Sequence, residues 1–270
     1  MTGVGRVLLG TSGWSYEEWV GPVYDQRDRS KLSAYSGVFL TAEIDSTFYA
    51  YPTKGTVMGW LRYTGPGFVF TAKVPRLVTH EEKPDPEAGA ERDLKRSFEI
   101  ISPLTLNGKL GCLLIQLRPK FSFDLDKLER FFKIIPPDVR CAVEFRHASW
   151  MRPETWKLLK LYNVAYTIVD EPLLPADAGV SSEIAYVRWH GRGRRPWYDY
   201  RYTLDELKPW REKVNTVPSK TKTVYGYFNN HYRSYAVENC AQMLELLGFA
   251  TPHRSEQRGK SKITWLAKCV

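Results

Sequence analysis

At 270 residues, with 43% apolar and 26% charged side chains, the chain has the composition of a globular protein and not of a disordered one. No apolar run approaches the roughly 18 residues of a membrane span, so no membrane crossing is expected. The 39 Lys and Arg outnumber 30 Asp and Glu, a formal charge of +9 that suits polyanionic partners. No basic segment followed by an apolar leader opens the sequence, and a cytoplasmic location is expected. Cys112, Cys141, Cys240 and Cys269 share no metal-type or redox-type spacing.

Strand-like runs recur along the chain at 6–10, 39–46, 68–74, 111–117, 141–145, 165–169, 184–189 and 223–228. Helical periodicity lies between most of them, at 54–63, 91–103, 124–134, 153–162, 204–214 and 235–247. Asp124 and Pro153 mark helix starts, Thr203 with Glu206 forms a capping-box pattern, and Gly248 supplies a stop. Segment 81–93 is acidic and reads as a solvated loop, while 170–182 carries two prolines and excludes a full sixth helix. Strands alternating with helices imply a parallel sheet, and eight of them predict a (β/α)8 TIM barrel over 1–250. An open doubly wound sheet is the alternative, but GTSGW after the first strand lacks its glycine fingerprint. The remainder, 251–270, is a basic C-terminal extension bearing Arg254, Arg258, Lys260, Lys262 and Lys268. It reads equally as a flexible polyanion-binding arm or as a segment packed on the barrel.

In a parallel barrel the chemistry sits where the strands end. Those positions are polar here: Thr11, Ser12 and Trp14; Glu43 and Asp45; Lys73; Gln116; Glu144, Arg146 and His147; Asp170; Arg188 and His190; Asn229, Asn230 and His231. Residues two apart on a strand share a face, which pairs Glu43 with Asp45, Glu144 with Arg146, and Arg188 with His190. Carboxylates interleaved with Lys73, Arg146 and Arg188 suit an anion site with acid–base groups better than a metal centre. No cofactor is expected, with a single divalent ion on the mouth histidines as the alternative. Lys73, Arg146, Arg188 and Arg192 are the expected anion contacts, Glu144 or Asp170 the acid–base, and His190 and His231 the proton shuttles. Glu43, Lys73, Gln116, Glu144, Asp170, Arg188 and Asn229 are expected around one cavity.

Beyond the seventh strand, WHGRGRRPWYDYRY carries Arg192, Arg194, Arg195 and Arg201 among Trp197, Tyr198, Tyr200 and Tyr202. Guanidinium groups grip phosphates and exposed rings stack on bases, so Trp14, Trp197 and Tyr200 are candidate stacking residues. The expected ligand bears phosphate, with single-stranded or opened nucleic acid foremost and hydrolase or lyase chemistry implied. A non-catalytic nucleic-acid-binding module and a small-molecule enzyme, such as a sugar-phosphate isomerase or lyase, are the alternatives.

GTSGWSY, AEIDSTFY, FTAKVPR, LLIQLRP, AVEFRHASW, YVRWHG and YGYFNNHYRSYAVENC follow one another in order. That string resembles the YecE-like proteins, domain-of-unknown-function family seventy-two, over about residues 8–247. The resemblance implies a TIM barrel and, by fold similarity to endonuclease IV-type barrels, nucleic-acid binding or repair. Three positions depart from the resemblance: Asp45 where Asn is usual, and Arg118 and Ala148 where Pro is usual.

Overall fold

The structure is a computed structural model describing residues 5–26, 28, 30–81, 84–171, 179–194 and 196–249, with the backbone of 253–257 and 260–264. Eight parallel strands follow the order β1-β8-β7-β6-β5-β4-β3-β2. They are β1 (Arg6–Thr11), β2 (Thr41–Ile44), β3 (Val69–Lys73), β4 (Leu110–Gln116), β5 (Cys141–Glu144), β6 (Ala165–Asp170), β7 (Ile184–Trp189) and β8 (Thr223–Phe228). The sheet closes where β1 meets β2 at a parallel bridge between Ser12 and Glu43, with the Gly13 N–H donating to the Glu43 carbonyl at 2.9 Å. The protein is a (β/α)8 barrel.

Among the described residues the α-helices are α1 (Lys31–Ser36), α2 (Lys54–Arg62), α3 (Ala90–Leu106), α4 (Leu125–Lys133), α5 (Pro153–Leu161), α6 (Leu204–Thr216) and α7 (Tyr235–Leu246). Their starts follow local chemistry. The Asp124 carboxylate accepts from the Lys127 N–H, Pro153 occupies the first turn of α5, and Thr203 and Glu206 complete a reciprocal capping box. Helix α1 escapes periodicity because six residues give less than two turns; Ser30 caps it. Strand β2 is shorter than expected because Asp45 adopts helical backbone angles and opens a tight turn, Ser46–Phe48. The acidic segment is not wholly solvated: Asp93 is buried and accepts hydrogen bonds from Arg92 and Tyr51.

Between β6 and β7, residues 172–178 lie outside the described residues. Ser181 nearby accepts from the Tyr166 N–H and donates to the Val164 carbonyl. In the extension, β9 (His253–Gln257) and β10 (Lys260–Thr264) form an antiparallel hairpin; Arg258 and Lys268 lie outside the described residues. No described helix is long and apolar enough to cross a membrane.

Two cores hold the barrel. The larger fills the layer between sheet and helices, where Trp19, Tyr35, Phe70, Trp150 and Trp189 are buried. The smaller fills the barrel's inside with Leu8, Val69, Cys112, Leu114, Ala142, Ala165, Ile184, Tyr186, Tyr225 and Tyr227. Above its apolar residues, threonine hydroxyls pair with tyrosines across the barrel: Thr41 with Tyr227 at 2.7 Å and Thr71 with Tyr186 at 2.8 Å. Inner-face residues therefore become more polar toward the strands' C-terminal ends.

Candidate active site at the barrel mouth

Strand parity decides which polar residues reach the inside. Continuing each strand's inner face brings Ser12, Glu43, Asp45, Lys73, Gln116, Arg118, Glu144, Arg146, Glu171, Arg188, His190 and Asn229 to the mouth. At its centre Arg188, fully buried, donates through Nη2 to Glu43 at 2.7 Å and through Nη1 to Glu144 at 2.7 Å. Glu43 also accepts from the Ser12 hydroxyl at 2.6 Å and the Tyr186 hydroxyl at 2.7 Å. Arg146 joins Glu144 at 2.5 Å to Glu171 at 2.6 Å. A continuous chain of ion pairs thus links β2, β7, β5 and the end of β6.

Charge balance sets the electrostatics. Burial pushes the Glu43 and Glu144 carboxyls up, but the guanidinium groups overcome it and hold both low, Glu144 well below the carboxylate range. Asp45 and Glu171 go the other way. Burial raises both, and each has a neighbouring carboxylate, Glu43 and Glu144 respectively, that raises it further. Burial beside Arg188 and Arg146 lowers His190 to about 4. Its Nε2 lies 3.2 Å from Arg146 Nη2 and 3.4 Å from Arg188 Nη1, a setting for a neutral ring. Asn229 Nδ2 lies 2.9 Å from the other ring nitrogen.

Lys73 differs from the two arginines. It is 8% exposed, its ammonium makes no hydrogen bond or ion pair with any described residue, and that ammonium sits 4.1 Å over the Phe48 ring. Burial, with repulsion from Arg188, lowers its pKa to about 8. Gln116 Oε1 and Arg118 Nε are likewise buried without hydrogen-bond partners. His80, edge-on to Phe48, is lowered to about 4 by burial and by Lys73, Arg76, Arg118 and Arg146. Of those four cations, Arg76 is paired with Glu81 and Arg146 with Glu144 and Glu171. Lys73 and Arg118 have no carboxylate partner among the described residues. Phe48 also lines a cavity of about 380 Å³ with Tyr49, Arg76 and Glu81.

Several sequence-selected residues lie elsewhere. Asp170 faces the helices, its carboxylate taken by Arg192 at 2.9 Å and the Trp210 indole N–H at 3.2 Å. Arg192 is thereby anchored to the barrel wall. Asn230 ties Tyr200 to Asn239 behind the sheet, and His147 accepts from the Ser149 N–H in a turn. Trp14 packs on Trp60 and Phe70. Trp197 is half-buried in the loop after β7, where the Tyr200 hydroxyl donates to Glu206. His231 is stacked between Tyr16 and Tyr198 at the rim. Arg201 pairs with Glu238, Arg194 is exposed, and Arg195 lies outside the described residues. Glu171 and Arg118 are the mouth residues that sequence reading passed over; counting alternate residues onward from Ala165 and Cys112 finds both. Among the described residues no group of three or more His, Cys, Asp or Glu is arranged to hold a metal ion.

A family described as protein of unknown function DUF72 matches residues 8–262, nearly all of the barrel and part of the hairpin. The chain belongs to the DUF72 family. A DUF72 protein of Thermotoga maritima is 34% identical, with a TM-score of 0.81 over 90% of this chain and 99% of that one. A DUF72 protein of Enterococcus faecalis shares the fold at 23% identity and TM-score 0.80, over 94% and 99% of the two chains. The Bacillus subtilis UPF0759 protein YunF is 27% identical over 89% of this chain and 94% of its own length. DUF72 membership agrees with the barrel and leaves the chemistry to be argued from the mouth.

Proposed function

We propose that this DUF72 barrel is an enzyme of isomerase or lyase type, moving protons on a small substrate that carries an anionic group such as phosphate. The observation that carries this reading is the trio Lys73, Gln116 and Arg118, beside a chain of ion pairs: the Lys73 ammonium has no carboxylate partner among the described residues, and Gln116 Oε1 and Arg118 Nε are buried without hydrogen-bond partners. Arg118 anchors the anion, and the Gln116 carbonyl oxygen is free to accept from a substrate hydroxyl. Arg146 and Arg188 have their charge met by carboxylates and instead fix the geometry. Glu144, held ionised between two guanidinium groups, is a weak base, and the acid–base role falls to Asp45 and Glu171, whose carboxyls burial and a neighbouring carboxylate raise.

Inorganic phosphate and phosphoglycolate, titrated while the melting temperature is followed, test the anion site. Saturation at about 100 times Kd should stabilise by about 2.7 kcal/mol. Arg118→Gln should abolish that gain; equal stabilisation of both proteins would sink the reading. Deuterium exchange from heavy water into small phosphorylated ketoses and aldoses tests the chemistry, where Asp45→Asn should slow exchange about a hundredfold.

A nucleic-acid ligand is the second reading, favoured by Tyr198, 38% exposed at the rim, and by the exposed Arg194. Arg194→Ala should then reduce the salt slope of single-strand binding by about 0.7. A strand held only by the basic hairpin would leave that slope unchanged.

A further inference from the structure

We propose that Lys73 is a nucleophilic amine that captures a carbonyl carbon of the substrate as a Schiff base, with Asp45 as its proton donor. This rests on the small-molecule reading above and narrows the substrate to an aldehyde or ketone bearing the anionic group.

A buried lysine kept for structure is paired, because an isolated ammonium costs several kcal/mol to desolvate. Carboxylates are near enough to serve: Glu43, Asp45 and Glu144 all act electrostatically on Lys73 or feel its charge. Glu43 and Glu144 nevertheless spend their oxygens on Ser12, Tyr186, Arg188 and Arg146. The Phe48 face offsets part of that cost but supplies no counter-charge. Arg188, Arg146 and His80 complete the surroundings, the arginines opposing a positive charge on Lys73 and Lys73 helping to keep His80 neutral. With a pKa of about 8, Lys73 has about a tenth of its amine free at pH 7, against about 0.04% for an ordinary lysine.

In the reaction the Nζ lone pair attacks the carbonyl carbon and a C–N bond forms. The C=O π pair moves to oxygen. Nitrogen gives up one proton and oxygen gains two, one of them from the Asp45 carboxyl, before the C–O bond breaks and water leaves. Amine, carbonyl and one acid proton become iminium and water, and Asp45 remains as the carboxylate beside the cation. The iminium then withdraws electrons from the adjacent C–H, the proton an isomerase or lyase must move.

The test treats the full chain with glyoxylate and sodium cyanoborohydride at neutral pH and maps reduced adducts by peptide mass spectrometry. Lys73, although buried, should react about tenfold faster than the exposed Lys54, Lys120 and Lys157. Asp45→Asn should slow adduct formation at Lys73 and leave Lys54 unchanged. A Lys73 that reacts no faster than those exposed lysines overturns the proposal, and that comparison needs no variant. Formaldehyde, a neutral carbonyl, separates the two readings. Rapid labelling of Lys73 by both probes, without saturation by glyoxylate and without an effect of Arg118→Gln, keeps the amine and removes the anion site. Slow labelling by both, while phosphate still raises the melting temperature through Arg118, removes the amine and keeps the anion site.

Discussion

Arg188 reaches two carboxylates on two other strands, and no other side-chain type spans that geometry with fixed charge. Arg188→Ala would leave Glu43 and Glu144 buried and short of a cation, at a cost of about 3–5 kcal/mol. Urea unfolding should show it as a lowered midpoint, and Arg188→Lys should recover little because an ammonium cannot fork between the two. Lys73 carries the opposite prediction. Its folded pKa lies below the unfolded value, so the native state bears a buried charge at every pH below about 8. Lys73→Met should therefore stabilise by up to about 3 kcal/mol near neutrality. That gain should fade as pH rises from about 8 toward the ordinary lysine value of about 10.4. A gain that ignores pH would show the amine to be solvated.

Closure of the barrel depends on how near β1 can come to β2. A Cβ at Gly10 would lie 2.2 Å from the Thr41 carbonyl oxygen and 2.9 Å from the Tyr35 hydroxyl. Gly10→Ala should force the seam apart and cost at least about 1–3 kcal/mol by denaturant titration. Gly191 is similarly constrained after β7, with φ +91° and a would-be Cβ 2.4 Å from the Trp197 carbonyl oxygen. At this scale the sequence was most legible: all eight strands read as strand-like runs, and six of the seven described α-helices show helical periodicity. The phase within a strand was harder to read. Strand β6 is buried on both faces, so Tyr166 and Ile168 look as much like barrel lining as Ala165 and Thr167 do, and no polar face marks the inside. The strand's end therefore gives no sign that Asp170 faces the helices and Glu171 the mouth. Partnerships across the barrel were hidden too, since Arg188 meets Glu43 from a strand remote in sequence, and composition counts cations without showing which are already paired.

For the whole molecule, the depressed carboxyls of Glu43 and Glu144 tie stability to acidity. Their contribution is present above the unfolded carboxylate pKa of about 4.3 and is lost as pH falls through their folded values. Unfolding followed from about pH 6 down to pH 2 should therefore show stability dropping steeply below about 4, and Glu144→Gln should flatten that drop. The raised carboxyls of Asp45 and Glu171 work against it, regaining stability as they protonate. The strand order has a further consequence, for how the chain is made. Strand β1 is synthesised first, yet its ladder partner β8 emerges almost last, with Leu8 beside Tyr225 and Thr11 beside Phe228. A ribosome must deliver nearly the entire barrel before β1 is flanked on both sides. Until then the ring stays open between β1 and β7, the place that β8 will fill. A nascent chain halted before residue 223 should accordingly be cut readily by protease around β1, and protection should arrive together with the ability to bind at the mouth.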